Sequence, residues 1–227
     1  MKLDAQRKRV IERVINAFET SQADGDYGKI TILHDGPHDI AQITYGRSQT
    51  TEYGNLWKLV RAYVDAGGTY SDRLRPYAPR VGNEPLTGDK TFRQLLRDAG
   101  RTDPVMQRVQ DVFFETEYFR PAMKWADEHG FSLPLAALVI YDSFIHSGSI
   151  LRTIRSTFPE LVPSGGGSDR AWITAYVNAR HRFLANHRRA DVRNTVYRTR
   201  CFQREIKRDN WHLTQLPITA NGVSVNA

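Results

Sequence analysis

A single aspartate constrains this chain more than any other residue. Residues 133–146, LPLAALVIYDSFIH, are apolar throughout except for Asp142. A run of that length reads as a helix, and a helix apolar on all sides is buried. An unpaired carboxylate inside it would cost several kcal/mol. The fold must therefore bring a cation to Asp142, and Arg180 and Arg198 are the natural partners. Arg180 belongs to a second helical pattern, Trp172, Ile173, Tyr176, Val177, Arg180, Phe183 and Leu184, which places it on or near the apolar face. Two roles fit such a pair: an ion pair that stabilises the fold, or a network that holds and tunes a catalytic carboxyl.

The rest of the pattern is mostly helical. Val10, Ile11, Val14, Ile15 and Phe18 give residues 3–20 an amphipathic helix with Glu19 at its end. Residues 27–47 change character. KITILHD and IAQITYG are β-rich around a DGPHD turn, which predicts a hairpin or a three-stranded sheet. Leu56, Leu59, Val60, Tyr63 and Val64 resume a helix that Gly67-Gly68 stops. Residues 69–88, with three prolines, read as loop. A short helix capped by Asp89 should end before Gly100. Asp103-Pro104 opens a longer helix through Val105, Val109, Val112 and Phe113. The Ser164–Ser168 stretch is loop, with Asp169 as the next cap. The expected class is α+β, mostly α: one domain over residues 1–227 with two helical lobes, a small β insert and a cleft between the lobes.

Composition excludes several classes. With 227 residues, 40% of them hydrophobic, the chain can bury a core without disulfides. Cys201 is the one cysteine, so no Cys-based zinc cage forms, and its Arg-rich setting lacks a Cys–His motif. The seven histidines show neither HExxH nor a tight cluster, so no metal site is expected. No apolar run approaches the ~18 residues of a membrane span, and MKLDAQRKRVIERV has no apolar h-region of a signal peptide. Gly165-Gly166-Gly167 lacks the Lys-Ser/Thr of a phosphate loop. The net charge is +7 and its surplus is concentrated: residues 180–208 hold ten cations against Asp191 and Glu205. Such a segment suits an anionic partner or a solvated helix face. Arg188-Arg189 with Tyr197 and Trp211 would fit nucleic acid, but no recognisable nucleic-acid module contains them.

The remaining chemistry rests on carboxylates. Glu19 follows Phe18 at a helix end, and a carboxyl pressed against apolar groups keeps its proton to higher pH, which suits a general acid. Asp35 and Asp39 share the following turn. Turn aspartates commonly bond their own backbone; one facing a cleft can instead activate water.

In their order, these features resemble the chitosanase family of glycoside hydrolases, in the lysozyme-like superfamily. The likeness runs through Phe18-Glu19, Tyr27-Gly28, His34-Asp35-Gly36, Ile43-Thr44-Tyr45-Gly46, Gly54-Asn55-Leu56, Tyr141-Asp142, His146-Ser147-Gly148, Ala179-Arg180 and Asn194–Arg198. It implies that Glu19 is the catalytic acid, Asp35 the base, and Thr44 an aid in holding the attacking water. It also implies an Arg–Asp–Arg chain behind the acid, running here as Arg198, Asp142, Arg180, Glu19. The turn after Asp35 is longer than the family's, which keeps Asp39 as an alternative base. Asn55 stands where the family has an aspartate that grips a glucosamine ammonium, and Tyr27, Arg47 and Asn55 are the expected groove residues.

These readings define an endo-acting, inverting hydrolase of β-1,4 aminosugar polymers that needs no cofactor. Inversion requires a carboxyl gap on the order of 6.5–9.5 Å to admit water. A chain at +7 with Asn55 is a poor electrostatic match for polycationic chitosan, so peptidoglycan strands are the expected substrate. The Tyr45–Thr50 stretch, similar to chitosanase-like domains of wall-lytic proteins, points the same way. A true chitosanase and a non-catalytic basic binder are the alternatives. Either polymer lies outside the cytoplasm, so action there is expected, by an export route or with a delivery or immunity partner that the sequence leaves open.

Overall fold

The computed structural model describes residues 1–47 and 49–227. Ser48, within the Tyr45–Thr50 stretch, lies outside the described residues. The chain divides into two compact units, one of residues 1–23 and 116–227, the other of residues 24–115. The second is an insertion into the first.

Helix α1 spans Ala5–Thr20. Asp4 caps it by accepting from the Arg7 amide, and Val10, Ile11, Val14, Ile15 and Phe18 are buried as their spacing predicts. Ser21 ends it in the left-handed region, its amide on the Ala17 carbonyl.

The inserted unit opens with a three-stranded antiparallel sheet, β1 (Ile30–Leu33), β2 (Gln42–Tyr45) and β3 (Thr50–Thr51), with β2 central. Ile30 pairs with Tyr45 and Leu33 with Gln42, so the β1–β2 turn carries residues 34–41. Helix α2 (Leu56–Asp65) follows as expected. The proline-bearing segment is not plain loop: it contains α3 (Ser71–Leu74) and a 3-10 turn at Arg75–Tyr77, where Pro76 sits in the first turn that tolerates it. Helix α4 runs Lys90–Thr102, passing through Gly100 rather than stopping before it. A Cβ there would lie 2.1 Å from the Tyr27 carbonyl oxygen, so glycine serves close backbone approach and not a helix stop. Helix α5 (Pro104–Phe114) also departs from expectation. Its buried face is Met106, Gln110, Phe113 and Phe114, while Val112 is 65% exposed. The Tyr45 hydroxyl donates to the Leu96 carbonyl at 2.6 Å, fastening the sheet to α4.

The chain returns to the first unit through a π-helical turn, Glu115–Phe119, and continues as α6 (Arg120–Glu128). Helix α7 (Pro134–Ser147) is the apolar segment, with Leu135 to Tyr141 and Asp142 at 0–1% exposure. A short α8 (Arg152–Arg155) precedes α9 (Asp169–Ala185). Ser168, not Asp169, caps α9; the Asp169 carboxylate instead accepts the Ser132 and Leu133 amides at the entrance to α7. Helices α10 (Ala190–Arg193) and α11 (Val196–Lys207) follow, and α11 packs along α9. A closing hairpin, β4 (Ile218–Ala220) and β5 (Val223–Val225), packs on α1 and had no sequence signal strong enough to place it.

Candidate active site

Helix α7 delivers Asp142 to the interior, and both expected arginines reach it. Arg180 of α9 donates to Oδ2 at 2.6 Å and Arg198 of α11 to Oδ1 at 2.6 Å. Arg198 then extends its other nitrogen to Glu19 Oε1 at 2.5 Å. The order is thus Arg180–Asp142–Arg198–Glu19, which corrects the expected order: Arg198, not Arg180, touches the glutamate. The reason is local. Tyr197 donates its hydroxyl to the Phe18 carbonyl at 2.9 Å, which ties the first turn of α11 to the last turn of α1. Arg198 lies over the Phe18 and Tyr197 rings, 5.3 and 5.6 Å from their centroids. Arg180 sits lower, beside Tyr176 and Ser143, with its guanidinium also on the Ser143 hydroxyl at 3.3 Å.

Burial alone would raise the Asp142 pKa, but Arg180 and then Arg198 outweigh it and hold the carboxyl below its ordinary range. Glu19 exposes 9% of its side chain, and its carboxylate meets the Arg198 guanidinium as well as the apolar residues its helix position implies.

His146, one turn beyond Asp142, faces the same cluster. Burial first, then the Arg198 and Arg180 charges, push it down to about 3, against the attraction of Asp142. It is therefore neutral in the fold, whereas an unfolded histidine takes a proton near 6.5. Between those values the unfolded state binds the extra proton, so stability falls as pH falls from about 6.5 toward 3, by at most ~1.4 kcal/mol per pH unit. Urea unfolding across that window should show this slope, and His146→Gln should flatten it; an unchanged slope would place the titration elsewhere.

In the inserted unit, Asp35 is half-buried in the β1–β2 turn, and Gln42 of β2 donates to its Oδ1 at 2.8 Å. Gln42 was not anticipated. Its place two residues before Thr44 on the same strand face was the available signal. Thr44 lies on the same strand as Gln42. Its buried hydroxyl contacts the Thr31 carbonyl at 3.2 Å and Gln49 Oε1 at 3.0 Å. Asp39 is exposed in the left-handed region at φ 60°, next to His38 at 56°. Tyr27 and Arg47 converge on Asp111, an acceptor the sequence reading missed: the phenol donates at 2.8 Å and the guanidinium pairs with the same oxygen. Burial pushes the Tyr27 phenol up to about 12. Arg47 is 6% exposed and lies over the Phe114 ring, while the Asp111 side chain is 46% exposed, so the trio runs from the interior to the surface. Asn55 precedes α2 without making a capping bond.

The family model for glycosyl hydrolase family 46 matches residues 13–218, which include every one of these side chains. The chain belongs to glycosyl hydrolase family 46. It is therefore a glycoside hydrolase with a lysozyme-like, mostly helical fold. The family 46 resemblance extends to a curated chitosanase of Bacillus subtilis (strain 168), 26% identical over 93% of this chain and 80% of that protein. Among solved structures, a family 46 chitosanase of Gynuella sunshinyii in complex with chitotetraose superposes with a TM-score of 0.81 at 22% identity, over 98% of both chains. A mutant chitosanase of Bacillus subtilis MY002 complexed with 6 GlcN gives 0.83 at 22% identity, over 99% and 100%. At these identities the structural likeness carries the fold. The preference for peptidoglycan expected from net charge finds no support in these relatives.

Proposed function

We propose that this enzyme is a chitosanase: it cleaves β-1,4 bonds inside chitosan chains, with inversion. The relay that ends on Glu19 is the observation that carries the reading, since three buried ionic groups converge to hold one largely buried carboxyl at a helix end. The relatives' names support the substrate class.

In this reading Glu19, protonated, gives its proton to the leaving glycosidic oxygen. Asp35, ionised, takes a proton from water attacking the opposite face of the sugar. Gln42 occupies Asp35 Oδ1 and leaves Oδ2 for that water. Asp35 is favoured over Asp39 because it is half-buried and oriented by a partner. Chitosan lies outside the cytoplasm, and we place the enzyme's action there.

Side-by-side digestion of chitosan and purified bacterial sacculi tests the proposal. Reducing ends should appear from chitosan, and proton NMR of the first products should show the α-anomer. Release from sacculi alone would assign a muramidase, and β-anomer first would exclude inversion.

A further inference from the structure

The inserted unit carries a hollow that the relay does not use. Its volume is about 460 Å³, within the range of small-molecule sites. Tyr53 and Trp57 form aromatic walls, with Arg61 and Asn83 at the edge. Trp57 is 38% exposed, unusual for so large an apolar ring. The opposite wall is preset: the buried Glu52 carboxylate accepts the Ile43 amide at 2.9 Å and the Leu86 amide at 2.6 Å, pinning the 82–86 loop to β2.

This hollow is joined to Asp35 through one side chain. The Tyr53 amide donates to Gln42 Oε1 at 3.2 Å, and Gln42 in turn holds Asp35. The Tyr53 ring also abuts the Asp35-Gly36 turn, where a Cβ on Gly36 would lie 3.2 Å from it. A glycan lying past the base therefore has an aromatic surface within reach.

The charges select which sugar fits. The Arg61 guanidinium and the Lys58 ammonium each lie 5.9 Å from the Trp57 ring centroid. Among the described residues lining the hollow there is no aspartate or glutamate. An ammonium group there would meet the Arg61 guanidinium and no carboxylate on the lining itself. Asn83 donates its amide to the Pro79 carbonyl at 2.9 Å, which leaves its oxygen to accept from an amide N–H.

We propose that this hollow is an outer sugar subsite that takes an N-acetylated aminosugar in preference to free glucosamine. The sugar's apolar face stacks on Trp57, and its acetamide N–H reaches Asn83. The inference rests on the chitosanase reading and refines it, making partially N-acetylated chitosan a better substrate than the fully deacetylated polymer.

The test compares wild type, Trp57→Ala and Arg61→Glu on both polymers. Trp57→Ala should raise KM for the N-acetylated polymer on the order of tenfold, while leaving the deacetylated polymer within about twofold and kcat unchanged. Arg61→Glu should shift preference toward the deacetylated polymer. Equal losses on both polymers, or none, would overturn the assignment and leave the chitosanase reading intact. A second arm does not need turnover. Tryptophan fluorescence of Glu19→Gln should respond to a chitin tetramer more than to its deacetylated counterpart, and the response should vanish when Trp57→Ala is added. If neither chitosan is cleaved, the chitosanase reading fails, and this titration still decides the subsite. Cleavage of sacculi combined with chitin-tetramer binding would support the subsite with the acetylated sugar coming from peptidoglycan. A response to neither tetramer would overturn it.

Discussion

Glu19→Gln should retain the fold and lose hydrolysis of chitosan by roughly 10²–10⁴-fold, the range of a positioned general acid. Glutamine keeps the oxygen that receives the Arg198 hydrogen bond, so the melting temperature should change little. Two observations separate the acid from the base. A substrate with a good leaving group needs little protonation, so Glu19→Gln should recover much of its rate on an activated aryl glycoside. Asp35→Asn removes activation of water and should lose both substrates alike. Wild-type rates from Glu19→Gln on chitosan would remove the glutamate from the chemistry.

Asp142→Ala should be the most damaging substitution for stability, at about 3–5 kcal/mol, because it strips the shared anion from two buried guanidiniums. Arg180 is 1% exposed and has no other carboxylate partner among the described residues, whereas Arg198 keeps Glu19. Arg180→Ala should cost less, since Arg198 still neutralises Asp142. Chemical denaturation of the two variants checks the order. A cost below about 1 kcal/mol for Asp142→Ala would mean that water reaches the cluster.

The sequence exposed this network because burial and charge conflict so visibly in residues 133–146. A carboxylate in an apolar helix has few solutions, and arginines on amphipathic helices are easy to find. Which arginine met which oxygen was not legible, because that order depends on the Tyr197–Phe18 contact between residues far apart in the chain. The same limit explains Tyr27 and Arg47. Each is expected as a groove residue, and only the fold brings Asp111 to both. Gln42 was passed over because a polar residue in a strand carries no pattern of its own, while Thr44 stood out through resemblance alone. The face of α5 was misjudged for a related reason: valines suggest burial, but Gln110 occupies the interior by bonding the Arg47 amide and the Tyr27 carbonyl. The cations of residues 180–208 divide between two duties. Arg180 and Arg198 are internal, while Arg182, Arg188, Arg200 and Lys207 stay exposed.

The insertion of one unit into the other sets the timing of synthesis. Arg198 is made 179 residues after the glutamate it holds, and Asn221, whose amide reaches the Ala17 carbonyl, later still. A nascent chain can complete residues 24–115 as a local unit while its opening helix waits for its packing partners. The relay behind Glu19 is therefore complete only once α11 has been made, and a chain broken off before that helix lacks Arg198.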